Sequence, residues 1–458
     1  MTEGAAAPER QAGSWNRRVV LLAGPIILSN LSTPLLGAVD TAVVGHLPDP
    51  TAIGGVGIGA VVFSFLFWGF GFLRMGTTGF TAQAFGAGDA AELRVALLRP
   101  LLLGLALGGL IVLLQSPIGA LAFGLFHASE AVEAQAGAYF EVRIWAAPAT
   151  LVNYAILGWL LGLRRANTAL VLQVVLNGLN IVLDLLFVVG LGWDIRGVAL
   201  ASVIAEIAAA LLGLAIVLRL LRGRPEAAAG IWQRVWQRDG LVALVRVNFD
   251  LLVRTLTLIF AFAYFTDQSA RLGDLPLAGN AILLQFQKFI AYGLDGFAHA
   301  AEILAGNAKG AGDRRGFRQA VRVCGLWGLG LAAVLAALLL AGGPGLIALF
   351  TSHQDVREVA QAFLPWLVLS PLVSVWSFLL DGIFIGTTRS AALRNAMLLS
   401  LAAYLPACWL LVPWLGNHGL WLALTLFMAA RAVTLGCFYP ALDRSIGDRS
   451  IGARPAAS

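Results

Sequence analysis

The chain is 458 residues long, 59% hydrophobic and only 12% charged, with a mean hydropathy of +0.83. Soluble domains carry about 25% charged residues, so a water-soluble enzyme or binding module is excluded. Repeated apolar runs of membrane length make this a polytopic helical membrane protein instead. The net charge of +6 does not indicate a nucleic-acid partner, because the basic residues sit in short segments between apolar runs and report orientation against a bilayer.

Residues 1–18 are polar and Ala-rich and lack the apolar stretch and cleavage site of a signal peptide, so they read as a cytoplasmic tail. Twelve spans follow, at 19–45, 53–80, 93–115, 132–162, 167–190, 197–221, 241–267, 276–303, 318–341, 357–386, 391–414 and 418–440. Several exceed a bilayer thickness, so tilt or extension beyond the membrane is expected. With the N-terminus inside, the inside segments hold 22 Lys and Arg against 3 in the outside loops. Both termini are therefore expected in the cytoplasm, and the chain in a bacterial inner membrane.

The first span carries one acid, Asp40. Asn30, Thr33, Gly37 and Asp40 recur at three- and four-residue spacing and share one helix face. Pro34 removes a backbone hydrogen bond and can bend the helix between Asn30 and Asp40. A carboxylate within a membrane helix marks a functional site by default, and beside a bend it reads as a protonation-sensitive moving part. The plainer alternative is an acid satisfied by Ser, Thr or Asn neighbours. In the second span Gly54-Gly-Val-Gly-Ile-Gly59 opens a membrane helix, so it reads as close helix packing rather than a nucleotide loop.

The fifth span holds a second polar stripe, Gln173, Asn177, Asn180 and Asp184, spaced four, three and four, with Val, Leu and Ile elsewhere. Ser202 in the sixth span adds a hydroxyl. Two acids in one bundle favour a proton or Na⁺ site over a network that only holds helices together. Residues 222–240 read as a linker, with Trp232-Gln-Arg-Val-Trp236 as a short interfacial helix. The linker separates a first lobe, 19–221, from a second, 241–440; residues 441–458 form a cytoplasmic tail.

The eighth span sets Gln285, Lys288, Tyr292, Asp295, His299 and Glu302 on one face, and the tenth sets Ser370, Ser374, Ser377 and Asp381. For Lys288, Asp295 and Asp381 a charge-balanced structural network and a cavity or gating role stand level. Cys324, Cys408 and Cys437 lie in apolar runs without metal-ligand spacing and read as core residues. HExxH, GxSxG and Walker-type motifs are missing, which argues against a membrane enzyme and against ATP drive.

The chain also repeats itself. Phe85-Gly-Ala-Gly-Asp89 with Arg94 recurs as Lys309-Gly-Ala-Gly-Asp313 with Arg318, 224 positions on. Gly158, Gly162 and Arg165 are matched in the same way by Gly382, Gly386 and Arg389. Six spans separate the copies, so they share an orientation and an axis along the membrane normal. Two six-helix bundles with a cavity between them are the simplest architecture.

These features resemble the multidrug and toxic compound extrusion (MATE) transporters, in particular their DNA-damage-inducible, DinF-like branch. The likeness rests on Gly24-Pro25, Asn30, Pro34, Val39-Asp40-Thr41-Ala42 with Gly45-His46-Leu47, and Ala82-Gln83-Ala84-Phe85-Gly86. It extends through Asn180-Ile-Val-Leu-Asp184, Gly197-Val-Ala-Leu-Ala201 and Leu380-Asp381-Gly382-Ile383-Phe384-Ile385-Gly386-Thr-Thr-Arg389. Order, spacing and the repeat make it specific over the whole chain apart from the polar ends. The resemblance implies an all-α fold of twelve transmembrane helices, two pseudo-symmetric six-helix bundles forming a V. It implies export of amphipathic, often cationic organic compounds in exchange for protons or Na⁺. It also implies a coupling site at Asp40, Asn180, Asp184 and Ser202, with Na⁺ able to bind at Asp40, Asn180 and Asp184. Ser202 stands where relatives carry Thr and keeps the hydroxyl. Asn30, Pro34, Gln173, Asn177, Lys288, Asp295 and Asp381 are the cavity or gating candidates. Asp381 does not clearly match the second-lobe acid of other branches, so that role is not carried over. The expected partners are small amphipathic molecules and the lipid bilayer, with no cofactor, and the unit is expected to work as a monomer. The rival reading is a flippase for a lipid-linked substrate; basic cavity residues would favour it, whereas the first-lobe candidates are acidic.

Overall fold

The computed structural model describes residues 15–45, 51–124, 129–222 and 230–447; within the first helix, the side chains at 33–36, 38, 40–42 and 44 fall outside that description. Among the described residues every regular element is a helix. This is the expected answer to lipid, which offers backbone N–H and C=O groups no partner but each other. In chain order the first ten are α1 (Trp15–Val44), α2 (Thr51–Gly69), α3 (Phe72–Ala87), α4 (Ala90–Leu113), α5 (Gln115–Phe123), α6 (Glu130–Arg143), α7 (Ala147–Gly162), α8 (Ala166–Asp184), α9 (Ile195–Leu221) and α10 (Ile231–Val235). The remainder are α11 (Arg238–Arg271), α12 (Asp274–Ala311), α13 (Arg314–Phe350), α14 (Gln354–Gly386), α15 (Ser390–Leu415) and α16 (Asn417–Ser445).

Nine stretches among the described residues are long and apolar enough to cross a membrane. Helices α1, α11 and α12 lie at the other three predicted spans. The spans differ from the sequence reading in three details. The second is broken at Phe70–Gly71 into α2 and α3. The fourth contains a tight turn, Ile144–Ala146, just ahead of Pro148, which sits in the first turn of α7 where a missing N–H costs nothing. The fifth ends in a wide π turn, Leu185–Gly190, directly after Asp184.

The internal repeat has a physical basis. Gly88 and Gly312 end α3 and α12 in the left-handed region, at φ 71° and 67°, which glycine adopts without strain. The aspartates that follow cap the next helices: Asp89 accepts from the N–H groups of Ala91 and Glu92 at 3.0 and 2.9 Å, and Asp313 from that of Gly316 at 2.8 Å. Gly158 lies against the Arg74 carbonyl oxygen and Gly382 against that of Ala298, so a Cβ at either would force the helices apart. Arg94 donates to the Leu221 carbonyl at the end of α9, while its counterpart Arg318 grips Asp443 near the end of α16 at 2.6 and 2.8 Å.

The chain packs as two compact units, Leu28–Thr255 and Met1–Ile27 with Leu256–Ser458. The divisions fall inside α1 and α11 rather than in loops. In the first unit, α4 runs against α7 through Gly104 on Leu151 and Gly108 on Pro148, and the Trp159 indole donates to the Leu93 carbonyl at 2.9 Å. The short α10 lies in the linker. Arg99 Nε donates to its Val235 carbonyl at 3.0 Å, and Trp232 and Trp236 are exposed. In the second unit, Ala23 and Ile27 press on Gly296. Its aromatic core of Phe265, Tyr404, Trp421 and Phe427 is closed by Asn280. That side chain donates to Ser269 Oγ (2.8 Å) and Asn417 Oδ1 (2.7 Å), and accepts from the Trp421 indole (2.8 Å).

Candidate functional site

The 3.6-residue periodicity of α8 places Asn177, Asn180 and Asp184 on a face that turns inward, and all three are buried. Asn180 Nδ2 donates to Asp184 Oδ2 at 2.9 Å, and its own Oδ1 accepts from Ser202 Oγ on α9 at 3.3 Å. The amide thus reads the carboxylate on one side and the hydroxyl on the other. Asp184 has 0% exposure. A carboxylate so placed is costly to hold as a bare anion, and its surroundings of carboxylate, amide and hydroxyl oxygens suit a proton or a hard cation.

A second chain of polar contacts runs one turn away. Gln173 Nε2 donates to Asn177 Oδ1 at 3.1 Å, Asn177 Nδ2 to Ser32 Oγ on α1 at 2.8 Å, and Ser32 Oγ to the Ser29 carbonyl at 2.7 Å. The stripe on α8 is therefore tied to both α1 and α9. Asn30 is half-buried on α1. The side chains of Pro34 and Asp40 lie outside the described residues; the α1 backbone is helical through both positions.

The second-unit candidates stand in different surroundings. Lys288 is exposed and Asp295 half-buried on α12. Asp381 accepts from Arg431 Nη2 at 2.6 Å, with side chains 6% and 1% exposed, and the guanidinium stands 5.9 and 5.8 Å from the Phe378 and Phe427 rings. The hydroxyls of Ser374 and Ser377 are turned back onto their own helix. His299 Nδ1 lies 2.8 Å from Glu302 Oε2, both buried.

The structure also brings forward an acid that the sequence reading passed over. Glu206 lies one turn beyond Ser202 on α9. It accepts from Asn153 Nδ2 of α7 at 2.7 Å and faces Arg143 of α6 at 3.7 Å. The available signal was a lone acid in the sixth span.

The comparisons agree with this architecture. The MatE family pattern matches residues 25–186 and 252–410. DNA damage-inducible protein F of Escherichia coli is 44% identical over 422 residues, covering 91% of this chain and 90% of that protein. The probable multidrug resistance protein NorM of Rhizobium meliloti is 28% identical over 464 residues, 96% of both chains. Among solved structures, a MOP superfamily transporter from Pyrococcus furiosus superposes with a TM-score of 0.83 at 18% identity, covering 97% of this chain and 99% of the other, a likeness of fold. The family pattern over both halves of the chain and the 44% identical relative lead to one conclusion: the chain belongs to the MatE family of membrane transporters, not to an enzyme family.

Proposed function

We propose that this chain is a secondary antiporter of the inner membrane that exports amphipathic, cationic organic compounds in exchange for protons or Na⁺. The observation that carries this reading is the buried Asp184–Asn180–Ser202 network in a lipid-spanning helix pair. Asp40 shares the coupling role in this proposal. A neutralised carboxylate no longer attracts a cationic substrate, whereas an ionised one does. Only such a difference in affinity between states can drive a cycle. Protons or Na⁺ entering from outside discharge Asp184 and Asp40, and the substrate cation loses its counter-charge and leaves outward. Return of the ion to the cytoplasm restores the acids for the next substrate. Purified protein in proteoliposomes, given pH and Na⁺ gradients separately, is expected to move an organic cation under at least one of them. Movement under neither gradient would reject the antiport reading.

The charge bias of 22 against 3 supports cytoplasmic termini and a cytoplasmic linker. A cysteine introduced at Gln233 of α10 is expected to resist an impermeant thiol reagent in intact cells and to react in inverted vesicles. Labelling from the outer face would reverse the assignment.

A further inference from the structure

In the Leu28–Thr255 unit a half-buried charge pair has a different character from Asp381–Arg431. Arg143, at the end of α6, spreads its guanidinium 5.6 Å from the Phe63 ring and 5.4 Å from the Phe67 ring. Phe63 in turn stacks on Phe140 at 5.4 Å and meets the edge of Tyr139 at 6.0 Å. The same guanidinium also faces Glu206 of α9. Its carboxylate is held by Asn153, which donates at 2.7 Å to Oε2 and at 3.0 Å to the Glu206 backbone carbonyl. The arginine stays back at 3.7 Å, and each side chain of the pair keeps 12% exposure. The acid is thus positioned by an amide, not by its counter-ion. Where Asp381 and Arg431 are locked at 2.6 Å and almost sealed, this cation is held by aromatic faces and a looser ion pair.

Aromatic faces opposite a fixed carboxylate are what recognises an organic cation. On α7, Asn153 Oδ1 and Thr150 Oγ1, both on residues 3% exposed, meet no hydrogen-bond partner among the described residues. Both can accept from N–H groups of a ligand. Tyr154 of α7 lies within electrostatic reach of Glu206, Arg74 and Arg143.

We propose that Phe63, Phe67, Asn153 and Glu206 form a binding site for organic cations, aromatic amine or amidine compounds, and that Arg143 occupies it as a tethered surrogate that substrate must displace. The surrogate keeps Glu206 neutralised while the site is empty of substrate, so the resting protein does not leave a bare carboxylate in the membrane. Displacement makes a cation compete with an internal one and sets a threshold on affinity. The inference rests on the reading of the chain as an exporter of cations.

The test is ethidium binding, followed by fluorescence anisotropy, to the full-length protein in detergent, with thermal unfolding recorded for each variant. Arg143→Gln removes the competitor and is expected to tighten ethidium several-fold. Arg143→Lys keeps the charge but loses the planar fork that stacks on rings, and is expected to fall between Arg143→Gln and the unmodified chain. Glu206→Gln removes the counter-charge and is expected to weaken binding tenfold or more. Opposite shifts at two partners of one pair are the signature, since a merely structural pair loses binding from either side. If Arg143→Gln does not fold, tighter binding by Arg143→Lys carries the proposal, and unchanged or weaker binding by it overturns it. Weakening by both Arg143→Gln and Glu206→Gln overturns the surrogate and leaves the cation reading standing. No ethidium bound by any form, including the unmodified chain, overturns both.

Discussion

Asp184→Asn is expected to reduce gradient-driven export to the level of protein-free liposomes while the protein stays folded in the membrane. The substitution preserves shape, and an asparagine oxygen at position 184 can still accept from Asn180 Nδ2, now 2.9 Å from Asp184 Oδ2. Packing and the hydrogen bond survive; titration and the negative charge do not. An effect on transport with no effect on unfolding temperature therefore isolates the charge. Asp40→Asn is expected to behave alike if the two acids act as one unit. Ser202→Ala removes one hydroxyl at 3.3 Å from Asn180 Oδ1, a contact worth about 1 kcal/mol net, so only a several-fold loss is expected. Wild-type transport by Asp184→Asn and Asp40→Asn, measured in the same vesicles, would remove these acids from the coupling role.

Asp381→Asn in the second unit is expected to act on stability first. The salt bridge to Arg431 is 2.6 Å long with 6% and 1% side-chain exposure, so neutralising the acid leaves a buried guanidinium without its counter-charge. Breaking such a pair costs about 3–5 kcal/mol, whereas replacing both members by apolar residues is often neutral. Asp381→Leu combined with Arg431→Met is therefore expected to recover the unfolding midpoint lost in Asp381→Asn, because Phe378, Phe427 and Met428 already offer the new side chain an apolar seat. A double variant no more stable than the single one would contradict this account. Transport by the recovered variant then separates support of the fold from a part in the cycle.

Everything periodic about this chain was legible in its sequence. A lipid surround leaves the backbone little choice but helix, so composition and run length located the membrane-length helices. The spacing of Gln173, Asn177, Asn180 and Asp184 identified one helix face, because 3.6 residues per turn is a local rule. Gly-Ala-Gly-Asp at two places 224 residues apart announced matching helix ends, since a left-handed glycine and a capping aspartate act within a few residues of each other. Pairing across helices obeys no such rule. Asp381 finds Arg431 fifty positions away, and Glu206 finds Asn153 fifty-three positions away. The register and crossing of packed helices decide both, and no spacing in the sequence encodes them. The stripes of α12 and α14 looked alike on paper. Packing buried Asp381 against a guanidinium and left Lys288 exposed, because which side of a helix faces a neighbour depends on the neighbour.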